Sequence, residues 1–121
     1  MKESKRHKWT KEERLKIYQK FQGHCAYCGL EIDLKDMQID HITSLYQNGE
    51  DSVENAVCSC RLCNSYKRAN SLEKYRNWLL AGVIERLRKL FIFRIAERYG
   101  MITVNDWDKK FYFEKLKENK K

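Results

Sequence analysis

Cys25-Ala-Tyr-Cys28-Gly29 and Cys58-Ser-Cys60-Arg-Leu-Cys63-Asn64 bracket the short run Ile39-Asp40-His41-Ile42, and the reading of this nesting decides the fold. Two C-x-x-C pairs can supply the closed, tetrahedral thiolate set that a structural zinc prefers, so Cys25, Cys28, Cys60 and Cys63 are the expected ligands. Gly29 allows the tight turn after the second of them. Asp40 and His41 stand outside that set, and residues a scaffold does not need are the first candidates for chemistry. A disulfide framework fits less well: the chain has five cysteines, an odd count, and C-x-x-C pairs without a signal peptide read as metal ligands in a reducing compartment. Cys58, the fifth, is expected to be a small buried hydrophobe.

Working outward, Thr10 with Glu13 three residues later is a capping-box signature and predicts a helix from Lys11 to about Gln22, ended by Gly23. Met37 to Ile42 alternates loosely, as a short strand carrying Asp40 and His41 would. A polar loop from Thr43 to Glu54 follows, then a second short strand at Ala56 to Ser59 and a helix from Arg61. Asn70-Ser71 marks a break before a helix that runs through Trp78 to Ala81. Beyond Gly82, apolar residues recur at helical spacing from Val83 to Tyr99, and Val104 to about Lys117 reads as a last helix. Within this stretch the Phe91-Ile-Phe93 cluster reads as core rather than interface.

The net charge of +8 is unevenly spread. Residues 1–22 carry +5, residues 23–60 carry −6, and residues 61–121 carry +9. Basic flanks around an acidic centre suit a protein that grips a phosphate backbone and holds a cation in the middle. At 121 residues the chain is one domain's worth, and a core of that size is modest, so a structural metal would matter. We therefore expect a single domain over 1–121, with its core at about 21–81 and a basic helical extension at about 83–121. No apolar run approaches the roughly 20 residues needed to span a bilayer. The expected setting is cytoplasmic, without membrane contact, as a monomer or homodimer.

The central segment resembles the HNH endonuclease family, in the zinc-knuckle-bearing form common in bacteria and phages. The resemblance rests on the two cysteine pairs, Ile39-Asp40-His41-Ile42, Asn55 before the second pair, and Cys63-Asn64-Ser-Tyr-Lys67 after it. It covers about residues 21–81. It implies an α+β, ββα-metal core with a structural zinc, flanked by N- and C-terminal helices. Asn64 stands where the namesake pattern has a second His, which makes this an HNN variant.

Phosphodiester hydrolysis needs a nucleophilic water, a base to take its proton, and positive charge on the departing oxygen. An imidazole titrates near neutral pH, so His41 can be that base. The resemblance implies that Asp40 and Asn64 together hold one divalent ion, and oxygen ligands with open positions suit Mg²⁺ or Mn²⁺. It implies a positional role for Asn55, which would tie the loop that orients the His41 ring. Lys67, Arg61 and Arg68 are candidate DNA contacts, and for Lys67 a solvated helix position or a structural place is the alternative. The implied activity is metal-dependent hydrolysis of DNA, as nicks or double-strand breaks. Two other readings share these features: a non-catalytic zinc-bearing nucleic-acid-binding module, and an RNA-directed nuclease of the same fold.

Overall fold

In the computed structural model, which describes residues 8–43 and 48–119, the chain opens on helix α1 (Lys11–Lys20). The Thr10 side chain accepts from the Glu13 amide while the Glu13 carboxylate accepts from the Thr10 amide, completing the capping box. The helix ends two residues before the expected Gln22, because Gln22 and Gly23 both adopt positive φ. A side chain at position 23 would meet the Tyr18 ring, whose hydroxyl donates to the Ile32 carbonyl at 2.7 Å.

Strands β1 (Gln38–His41) and β2 (Ala56–Ser59) form a two-stranded antiparallel sheet, with Asp40 opposite Val57 and His41 opposite Ala56. Two strands of this length do not hold in water alone. Here β2 is buried along its whole length and α1 covers it. Lys20 fastens that contact, its Nζ donating to the carbonyls of Val53 and Ala56 at 3.0 and 3.1 Å. Residues 44–47 of the expected Thr43–Glu54 loop lie outside the described residues. Helix α2 (Arg61–Lys67) follows β2 directly and is capped by Cys60, whose sulfur accepts from the Cys63 amide. Helix α3 (Leu72–Ala81) comes next.

The chain divides into two compact units: residues up to Leu72 together with Phe111 onward, and Glu73–Lys110. The core of the first unit is Ile17, Phe21, Met37, Val57, Phe111 and Phe113, with Cys25, Cys58, Cys60 and Cys63 among them. Full burial of such side chains is worth about 1.5–3 kcal/mol each. The C-terminal segment closes this unit. Tyr112 N–H donates to the Tyr27 carbonyl at 3.0 Å, and Phe113 N–H to the Ala26 carbonyl at 2.8 Å. Helix α6 (Tyr112–Asn119) then begins, with Glu114 accepting from the Phe111 amide.

Two helical expectations need correction. The stretch Val83–Tyr99 is two helices, α4 (Val83–Arg88) and α5 (Phe91–Arg98), separated at Leu90, which is extended. Arg88 and Glu97 form a two-pronged ion pair across the break, at 3.2 and 2.9 Å. Nine residues apart on one straight helix they would face opposite sides, so the pair requires the bend. Apolar periodicity alone cannot register such a restart. The bend also leaves Phe91 71% exposed, against its expected place in a core. The helix expected over Val104–Lys117 begins only at Tyr112. The Asp108 carboxylate accepts from the Lys110 amide, and Lys109 has positive φ, a local turn that competes with helix. No helix among the described residues is long and apolar enough to cross a membrane.

Candidate active site and metal centre

The four expected cysteines converge. The sulfurs of Cys25, Cys28, Cys60 and Cys63 all lie within 4.8 Å of one another, and Cys28 Sγ is 3.8 Å from Cys60 Sγ. A tetrahedral zinc with bonds of about 2.3 Å sets sulfur–sulfur edges of about 3.8 Å, so the donor set and its spacing fit that ion. The protonation balance agrees. A hydrogen bond from the Cys63 side chain holds the Cys25 thiol down at about 4, whereas burial pushes Cys28 up. Four crowded sulfurs do not all ionise without a cation among them. Cys58 is fully buried and its thiol is pushed up to about 12 by burial, as a hydrophobe on β2 should be.

The local chain dictates the cluster. Cys25 and Cys28 sit on a turn closed by Gly29 N–H to the Cys25 carbonyl, with Gly29 at positive φ, and Ala26 N–H to the Cys58 carbonyl ties that turn to β2. Cys60 and Cys63 frame the first turn of α2.

Asp40 and His41 are neighbours on β1 and turn to different partners, as side chains on an extended strand must. Asp40 Oδ2 accepts from the Tyr27 hydroxyl at 2.6 Å and pairs with Lys67 Nζ at 3.0 Å. His41 is buried; its Nε2 lies 3.0 Å from Asp51 Oδ1, and the Trp9 ring stands 6.1 Å away. Lys67, on α2, is fully buried, and its ammonium also donates to the His41 carbonyl at 3.3 Å. Its charge is turned inward, toward Asp40. An ammonium buried this deeply needs its carboxylate partner, and Asp40 supplies it.

Asn55, at the end of a short 3-10 turn, spans the mouth of the loop. Its Nδ2 donates to the carbonyls of Thr43 and Glu50 at 2.8 and 2.7 Å, and its Oδ1 accepts from the Thr43 amide at 3.0 Å. Asn64 lies one helical turn before Lys67 on α2 and is half-buried. Arg61 and Arg68 are exposed on the same helix and its cap. Among the described residues the four cysteines are the only group of three or more sulfur, imidazole or carboxylate donors close enough to hold an ion. A site built on Asp40 and Asn64 would thus leave its remaining positions to waters and phosphate oxygens, the arrangement Mg²⁺ favours.

Two participants escaped the sequence reading. Tyr27 was visible only as the filler of a C-x-x-C pair, and Asp51 as one acid in a polar loop. A carboxylate ten residues beyond a histidine carries no spacing rule, so only the tertiary fold reveals the pair.

The comparisons agree with this architecture. The model of the HNH endonuclease family matches residues 25–70. No curated protein matches the chain. Among solved structures, the Type II-C Cas9 enzyme from Actinomyces naeslundii superposes with a TM-score of 0.52 at 22% sequence identity. That match covers 72% of this chain and 10% of the other, so the chain spans about a tenth of that enzyme's length and the likeness is one of fold. The segment from Cys25 to Asn70 belongs to the HNH endonuclease family.

Proposed function

We propose that this protein is a metal-dependent DNA endonuclease that hydrolyses phosphodiester bonds, with His41 as general base. The observation that carries the reading is the division of labour on β1. His41 is held by Asp51 on one side of the strand, and Asp40 is held by Tyr27 and Lys67 on the other. Nucleic-acid binding alone needs neither arrangement, which favours the catalytic reading over a purely binding one.

In the proposed reaction Asp51 accepts from Nε2–H of His41 and leaves the Nδ1 lone pair to take a proton from the attacking water. Asp40 and Asn64 would hold a Mg²⁺ or Mn²⁺ ion, which supplies positive charge for the phosphate and the departing 3′ oxygen. Asn55 holds the ends of the loop that carries Asp51. Zinc on the four cysteines keeps the knuckles and the start of α2 in place. Arg61 and Arg68 contact flanking phosphates, and the basic segment from Val83 adds grip, so that residues 1–121 act as one functional domain with a helical extension. One such site cuts one strand per event; a double-strand break takes two nicks or two subunits. Four cysteines gathered as zinc ligands fit a reducing, cytoplasmic setting.

Supercoiled plasmid incubated with the zinc-loaded protein and Mg²⁺ or Mn²⁺ tests the reading. Wild type is expected to produce the nicked circle and His41→Ala to lower the rate by about 10²–10⁴. Equal rates in the two proteins would overturn it. Labelled single- and double-stranded RNA run in parallel would show whether RNA is cut instead.

A further inference from the structure

We propose that Tyr27 is a positioning residue for the divalent-ion site: with Lys67 it occupies Asp40 Oδ2 and leaves Oδ1 as the single carboxylate oxygen offered to the ion. The inference rests on the reading of Asp40 as an ion ligand and deepens it. It makes the first cysteine knuckle a component of the hard-ion site, because Tyr27 lies between two of the four clustered sulfurs.

Tyr27 is 3% exposed and held from several directions. Phe111 and Phe113 meet its ring edge to face, at centroid separations of 5.5 and 6.4 Å. Its backbone carbonyl accepts from Tyr112, and the preceding amide is bonded to Cys58 on β2. A ring fixed in this way aims its hydroxyl in one direction, and the 2.6 Å separation from Asp40 Oδ2 is that of a strong bond to a carboxylate. Lys67 reaches the same oxygen at 3.0 Å. Among the described residues no donor meets Oδ1.

Two donors on one oxygen fix the plane of the carboxylate. An ion arriving at Oδ1 then meets a ligand that has already lost its rotational freedom, and affinity rises by the cost avoided. With Lys67 alone, the carboxylate could turn either oxygen toward the ammonium. The Lys67 ammonium also lies over the Tyr27 ring, 5.9 Å from its centroid, so Tyr27→Phe keeps the ring, its packing and that contact and removes only the hydroxyl.

The test is Mn²⁺ binding to the zinc-loaded full chain without nucleic acid, read from the electron paramagnetic resonance signal of free Mn²⁺, beside zinc content and thermal midpoint. Tyr27→Phe is expected to keep one zinc per chain and a midpoint close to wild type, and to bind Mn²⁺ about 10- to 100-fold more weakly. Asp40→Asn serves as the reference and is expected to lose at least as much affinity. If Tyr27→Phe binds Mn²⁺ as tightly as wild type while Asp40→Asn does not, the role of Tyr27 is overturned and the ligand role of Asp40 stands. If Asp40→Asn also binds normally, the ligand reading falls and the inference with it. Loss of zinc or folding in Tyr27→Phe would overturn the proposal too, because the hydroxyl would then serve the scaffold.

Discussion

His41 Nε2 and Asp51 Oδ1 lie 3.0 Å apart, so the outer nitrogen of the imidazole is engaged by the protein and, among the described residues, no partner meets Nδ1. The pair selects a tautomer as well as an orientation: a carboxylate acceptor places the proton on Nε2 and leaves the lone pair on Nδ1. Asp51→Ala is expected to lower the single-turnover nicking rate by about 10- to 100-fold, part of the ~10²–10⁴ that a positioned base contributes. Half-saturating DNA concentration should change little. Asp51→Asn, whose amide oxygen can still accept from Nε2–H, should fall between the two. Nitrogen-15 shifts of the His41 ring check the tautomer directly, and an unchanged Nε2–H population in Asp51→Ala would refute the assignment.

The five cysteines should separate cleanly into four and one. Cys60→Ser is expected to lose zinc and cooperative melting together, since metal binding contributes on the order of 10 kcal/mol to small modules of this kind and Cys60 also caps α2. Cys58→Ala, which trims a buried thiol from β2, should keep one zinc per chain and lose about 1–2 kcal/mol. Elemental analysis and thermal melts decide both. Zinc loss from Cys58→Ala would move that residue into the ligand set.

Asn55 makes three hydrogen bonds across the loop mouth, and at about 1 kcal/mol net for each, Asn55→Ala should cost about 2–4 kcal/mol. The zinc should stay. Hydrogen exchange at the Thr43 amide is expected to accelerate far more than exchange at Cys58 or Ser59 on β2, marking a local opening. Uniform acceleration across the unit would mean that Asn55 supports the whole fold instead.

The core of this architecture was legible because its determinants are local and chemically singular. Thr10 and Glu13 announce α1, paired cysteines announce the knuckles, and Asp40-His41 within an alternating run announces β1. What escaped depends on contacts distant in sequence or on backbone states that periodicity does not encode. Leu90 turns extended inside an apolar helical pattern, and Asp108 with Lys109 opens a turn where Trp107 and Phe111 suggested continuous helix. Tyr27 and Asp51 acquire their partners only once β1 is flanked by the knuckle and the loop. Lys67 shows the same limit from the other side: spacing marked it as special, but only its burial shows that its charge faces inward.

The first unit is assembled from two separate stretches of sequence, and residues 73–110 are spelled between them. A ribosome releases the knuckles, β1 and α2 well before Phe111 and Phe113, which close over Ala26 and Tyr27. Until those two rings arrive, the turn that carries Tyr27 has an open side. The recognisable motif is therefore an unfinished object, and its clasp is spelled only after residues 73–110.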